Sequence, residues 1–179
     1  NTFITGNRAV ATAADVDAVP AAFAGGLIDD APLLIERSVI SGNSARTVAA
    51  GAAAADGGGM EIDGTVTIRD SLVAHNSVVA EGNGPALANG GGIANFGDLT
   101  LERTLVLANS VTAHGAAGQH PFGAPSLAIG GGIWNRDFDL QNPPSLTLVD
   151  SVVSANSAEG SAGFVVGGGG LWTATPVTR

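Results

Sequence analysis

Along most of this chain apolar and polar residues alternate in short runs, and the runs recur. Val66-Thr67-Ile68-Arg69 returns as Leu99-Thr100-Leu101-Glu102 and again as Leu146-Thr147-Leu148-Val149. Alternation with period two, rich in β-branched residues, predicts strands with one face buried. No segment keeps apolar residues at i, i+3, i+4 and i+7 long enough to predict a helix. Two landmarks punctuate the runs. A glycine run closes on an aliphatic residue at Leu27, Met60, Ile93, Ile133 and Leu171, and an aliphatic residue precedes an asparagine by three places at Asn7, Asn43, Asn76, Asn109 and Asn156. The first series is spaced by 33, 33, 40 and 38 residues and the second by 36, 33, 33 and 47. Self-similarity at such a period marks a stacked repeat architecture.

Three short strands per repeat are predicted: one at the glycine landmark, one at the T-x-T run and one before the asparagine. That is a coil of a β-helix. The Ala-rich runs 21–24 and 49–55 are flanked by glycines and read as loops. The segments between each asparagine and the next glycine run, 8–24, 44–56, 77–89, 110–129 and 157–166, read as insertion loops gathered at one corner. Insertions on one face of a solenoid commonly form its binding face.

Aligning the repeats on their asparagines tests the stacking. One column reads Glu36, Arg69, Glu102, Val149 and the next Arg37, Asp70, Arg103, Asp150. Stacked strands lie about 4.8 Å apart, so in-register charges alternate in sign as favourable neighbours should. Four apolar columns agree with the same register: Leu27/Met60/Ile93/Ile133/Leu171, Leu33/Val66/Leu99/Leu146, Ile35/Ile68/Leu101/Leu148 and Ile4/Ile40/Val73/Val106/Val153. The glycines suit positive-φ corners. The asparagines suit a corner too, because Asn tolerates the left-handed conformation and stacked amides can bond one another. Asn7, Asn43, Asn76, Asn109 and Asn156 are assigned to an internal asparagine ladder with a structural role. The expected fold is therefore all-β, a right-handed parallel β-helix of about five partial or complete coils, one segment spanning 1–179.

At its two landmarks the chain resembles the repeats of chlamydial polymorphic outer-membrane proteins, whose motifs are G-G-A-[ILV] and F-x-x-N. Here Gly replaces the Ala, and Ile or Val replaces the Phe. More broadly it is similar to the bacterial parallel β-helices of the pectin-lyase-like superfamily. The resemblance implies a secreted or cell-surface bacterial protein, often adhesive or structural, sometimes a polysaccharide lyase or hydrolase. Fold alone does not choose among these.

Composition narrows the field. A net charge of −9, with all seven cationic residues arginine, argues against nucleic acid. The sequence has no apolar stretch long enough to span a bilayer as a helix, and no cysteine for disulfides or thiolate metal sites. The first residues look like the second half of a repeat and the last begin a new one. The strands at 2–4 and 171–173 should then expose unpaired edges, which predicts end-to-end contact with further coils or another chain.

The candidate chemistry is sparse. Glycoside hydrolysis needs two carboxyls roughly 5–9.5 Å apart. Asp29, Asp30, Asp63, Asp98, Asp137 and Asp139 lie just beyond the first strand, but the Asp30/Asp63 column breaks at Phe96 and Arg136. Solvated loop acids are the plainer reading, though Asp137 and Asp139 could bind calcium weakly. His75 occupies a turn position that Gly42, Ala108 and Ala155 fill elsewhere, and His114 and His120 lack further zinc ligands. Ser38, Ser71, Thr104 and Ser151 are one repeat position, not nucleophiles. No catalytic residue, metal or cofactor is assigned. Trp134 and Trp172 follow the landmark aliphatic at an outward position, where they would stack as a platform for a sugar or a protein, unless the apolar segment 121–130 covers them. The leading expectation is a non-enzymatic extracellular scaffold or adhesin with a protein or glycan partner on the insertion face. The alternatives are a polysaccharide lyase or hydrolase whose catalytic coils lie outside this segment, and a structural subunit of a larger surface assembly.

Overall fold

The computed structural model describes residues 1–121, 125–136, 143–174 and 177–178, and all of its regular structure there is strand. Five parallel sheets of five strands each run along the molecule, and each strand pairs only with its counterparts one repeat away. That is a parallel β-helix of five coils. In chain order, sheet I contains Phe3–Thr5, Val39–Ser41, Leu72–Ala74, Leu105–Leu107 and Val152–Ser154. Sheet II contains Arg8–Ala13, Ser44–Ala49, Ser77–Gly82, Ser110–His114 and Ser157–Gly160. Sheet III contains Ala21–Phe23, Ala53–Asp56, Ala86–Asn89, Leu127–Ile129 and Val165–Gly167. Sheet IV contains Leu27–Asp29, Met60–Ile62, Ile93–Asn95, Ile133–Asn135 and Leu171–Thr173. Sheet V contains Leu33–Glu36, Thr65–Arg69, Asp98–Glu102, Ser145–Val149 and Val177–Thr178.

Each coil thus has five strands, not three. The segments expected as insertion loops lie where the sequence put them, but they form sheets II and III, and both Ala-rich runs contribute strands. The physical reason is visible in the packing. Sheets I, IV and V enclose a wide lobe filled by Ile40, Met60, Ile62, Val66, Ile68, Val73, Ile93, Leu99, Leu101, Val106, Ile133 and Leu146. Sheets II and III enclose a narrow lobe filled mainly by alanines, among them Ala45, Ala53, Ala55, Ala80, Ala86, Ala88 and Ala113. Alanine has little intrinsic strand preference, but a methyl group is what two closely packed sheets can accommodate. Thr47, fully buried in that lobe, donates its hydroxyl to the Ala54 carbonyl at 2.6 Å and ties the two sheets together within a coil.

The asparagine column stands between the lobes. Nδ2 of Asn7, Asn43, Asn76 and Asn109 each donates to Oδ1 of the next asparagine at 3.0 Å. The backbone N–H of each also donates to that same oxygen, at 2.8–3.0 Å. The glycine landmark packs directly on this ladder: a Cβ at Gly59 would lie 2.9 Å from Asn76 Nδ2 and 2.6 Å from the Gly92 carbonyl. The two sequence landmarks are therefore one contact, which closes the neck of the coil. The left-handed residue at the asparagine corner is not the asparagine but the one before it: Gly6, Gly42, His75, Ala108 and Ala155, with φ between 52° and 69°. His75 is consequently a strained corner residue. Gly57, at φ 63°, begins the corner into sheet IV.

A hydroxyl ladder runs parallel to the amides. The backbone N–H of Ser38 donates to Ser71 Oγ at 3.0 Å, and that of Thr104 to Ser151 Oγ at 3.0 Å. Within the charge columns, neighbours pair where the register brings opposite signs together at Arg69 and at Arg103. Arg69 bridges Glu102 at 2.6 Å and Glu36 at 3.1 Å, while Arg103 grips Asp70 through two bonds of 2.6 and 2.8 Å. The Arg103 guanidinium holds the Asp70 carboxyl below its ordinary range. These pairs are largely solvated and fix register more than they stabilise.

Candidate functional site

Outward side chains of sheets III and IV converge across the glycine corner, so the outside of the solenoid is concave there. Ala54, Leu87, Leu127 and Ile129 of sheet III pack against Ala94 and Trp134 of sheet IV, with Phe96 and Trp172 partly buried beside them. The character of this corner changes along the axis. The first coil offers Phe23 and Ile28, both exposed. The second brings Asp56 against Glu61, the third Asn89 against Ala94, the fourth Ile129 against Trp134, and the last Gly167 against Trp172.

The tryptophans do stack, with centroids 6.4 Å apart and planes inclined by 22°. They do not form an open two-ring platform; Trp134 meets the other outcome the sequence left open, cover by the apolar segment 121–130, which supplies Leu127 and Ile129. Trp134 is 1% exposed, held between Leu127, Ile129 and the edge of Phe96, whose ring centre lies 5.0 Å away at 79°. Alternation along a strand tells which side a residue faces, but not that this outside is a concave corner. Trp172 remains partly accessible, with the Arg136 guanidinium 5.7 Å from its ring centre.

Asp56 and Glu61 form the polar heart of the corner, and the sequence reading assigned neither. Burial pushes the Asp56 carboxyl up to about 7, against the opposing pull of an Asn89 Nδ2 bond of 2.7 Å. Burial, and then the negative charges of Asp56 and Asp63, push Glu61 up to about 8. Glu61 Oε2 and Asn89 Oδ1 are both buried with no hydrogen-bond partner among the described residues. The signal was present: two acids five residues apart across a glycine corner, both facing outward once 53–56 is recognised as a strand. Reading that run as a loop hid it.

The other candidates do not assemble into a site. Asp29 lies in the inward column with Ile62, whereas Asp30, Asp63 and Asp98 are exposed, and Asp98 accepts a 2.6 Å bond from Ser145. Asp137 and Asp139 lie outside the described residues. His75 and His114 are exposed, and His120 is buried against the Ala53 backbone, with burial lowering its pKa. Among the described residues no three His, Cys, Asp or Glu side chains converge as metal ligands, and no helix is long and apolar enough to cross a membrane. No family model, curated protein or solved structure matches the chain.

Proposed function

We propose that this chain is a non-enzymatic β-helical scaffold of a secreted or cell-surface bacterial protein, with an adhesive contact at the corner between sheets III and IV. One observation carries this reading: the repeated polar side chains are engaged in binding one coil to the next. The asparagine, hydroxyl and charge columns all spend their donors and acceptors along the axis. The contact point is Trp172, whose accessible ring beside the Arg136 guanidinium suits a sugar face or a protein side chain. Another chain would join end to end, since among the described residues the outermost strand of every sheet has one unpaired edge.

The second reading, a polysaccharide hydrolase or lyase, is favoured by the pair of carboxyls titrating near neutrality. Against it stands access: Glu61 is 7% exposed and its Oε2 is fully covered, so a glycosidic oxygen would have to displace the corner to reach it. Glycan and host-protein binding screens with the parent chain and Trp172→Ala test the first reading, which expects binding lost in the variant. Depolymerase activity that disappears in Glu61→Gln would replace it with the second.

A further inference from the structure

The outside of sheet I carries a feature that the scaffold reading leaves unused. Phe3, Val39, Leu72, Leu105 and Val152 stand in register in one outward column through all five coils. Phe3 is 73% exposed, Leu105 41% and Val152 47%. The column is apolar in every coil, exposed at Phe3, Leu105 and Val152 and half-buried at Val39 and Leu72, and an apolar column on an outer face marks a contact surface. Beside it, across a shallow groove of about 500 Å³ lined by both columns, runs the alternating series Arg37, Asp70, Arg103, Asp150.

The order of signs in that series selects a partner. A two-fold axis lying in the face, parallel to its strands, reverses the order of the coils and lays each column over itself. Centred between Asp70 and Arg103, it sets Arg37 opposite the second copy's Asp150 and Asp70 opposite its Arg103. The same operation places Val39 over Val152 and Leu72 over Leu105, so the ridge meets itself too. A series of even length and alternating sign is self-complementary under this operation alone. An axis along the solenoid would bring the charges against a different part of the face. We propose that sheet I is an interface for a second copy of this chain, docked antiparallel, apolar ridge on ridge and charge column on charge column. Two-fold contacts of this kind use one patch twice. The operation overlaps the four coils from Val39 to Val152 and leaves Phe3 beyond the overlap; four strands about 4.8 Å apart span only about 14 Å, well below a standard specific interface, so the association is weak and concentration-dependent.

Two measurements test it. In sedimentation velocity over a concentration series the parent chain should shift from monomer to dimer, less so at high salt, and Leu105→Asp should stay monomeric while keeping its fold, because Leu105 points outward. The chain has no cysteine, so single-cysteine variants report geometry cleanly. Val39→Cys mixed with Val152→Cys should cross-link readily under mild oxidation. Each alone should not, because identical positions would sit about 14 Å apart along the axis, three coil spacings. A parent chain that stays monomeric throughout, assembly that survives Leu105→Asp, or cross-linking no greater in the mixture than in either variant alone overturns the proposal; the last two would point to contact through the coil ends or through another face.

Discussion

The two lobes of each coil share a backbone and differ in what fills them. The wide lobe is packed with leucine, isoleucine, valine and one methionine, the narrow lobe with alanine and a few valines. Both are equally regular along the axis, since ladder hydrogen bonds repeat in every sheet. What differs is how stability is obtained. The wide lobe draws on apolar area removed from water, about 25 cal/mol per Å². The narrow lobe buries little area per residue and depends on two sheets approaching closely. One lobe should therefore suffer from losing volume and the other from gaining it.

The largest effect should come from a charge in the wide lobe. Val106→Asp places a carboxylate with no partner at a fully buried site and should unfold the neighbouring coils, seen as lost cooperative melting by circular dichroism. A matched pair then probes the contrast directly. Leu99→Ala should cost about 2–5 kcal/mol in denaturant unfolding through the cavity it leaves. Ala88→Leu, fully buried between sheets II and III, should cost about 1–3 kcal/mol through overpacking. A neutral Ala88→Leu would show that the narrow lobe is loose and end the comparison.

The corner where the lobes meet predicts a smaller, pH-linked effect. The native pKa values of Asp56 and Glu61 are raised from 3.8 and 4.5 to about 7 and about 8. Their contribution is complete below about pH 4 and is lost progressively as pH rises toward 7 and 8, so stability should fall between about pH 4 and pH 8 and level off above. The Asp56→Asn, Glu61→Gln double variant should flatten that slope. Asp70, whose carboxyl is held low by Arg103, acts in the opposite sense, losing its contribution only in more acidic solution, outside this window. The smallest effect belongs to the surface: Arg69→Glu makes an exposed like-charge stack with Glu36 and Glu102 and should leave the denaturant midpoint almost unchanged.

The same contrast explains what the sequence revealed. Wide-lobe strands were legible residue by residue, because Val66, Ile68, Leu99 and Leu101 alternate with threonines and charges. Narrow-lobe strands were not, because in 53–56 the inward and outward residues are all alanine until Asp56, and alternation cannot be seen when both faces carry the same side chain. Losing that strand lost the Asp56–Glu61 corner with it. The stacking of Trp134 on Trp172 followed from register, and cover by the apolar segment 121–130 was one of the two outcomes the sequence left open; that Leu127 and Ile129 close over Trp134 depends on the angle between two sheets, which no local pattern encodes. The asparagine column was legible by spacing alone, yet its left-handed residue fell one place earlier, where Ala108 and His75 give no compositional hint.

That column also gives the molecule a direction. At each step from Asn7 to Asn156 the amide donates forward and accepts from behind, so its dipoles add rather than cancel. One face of the stack ends in an amide oxygen and the opposite face in amide hydrogens. A coil arriving at either face is read for its orientation: head to tail it extends the chain of donors, whereas head to head it sets oxygen against oxygen. The solenoid is a polar rod, and any growth along its axis is vectorial.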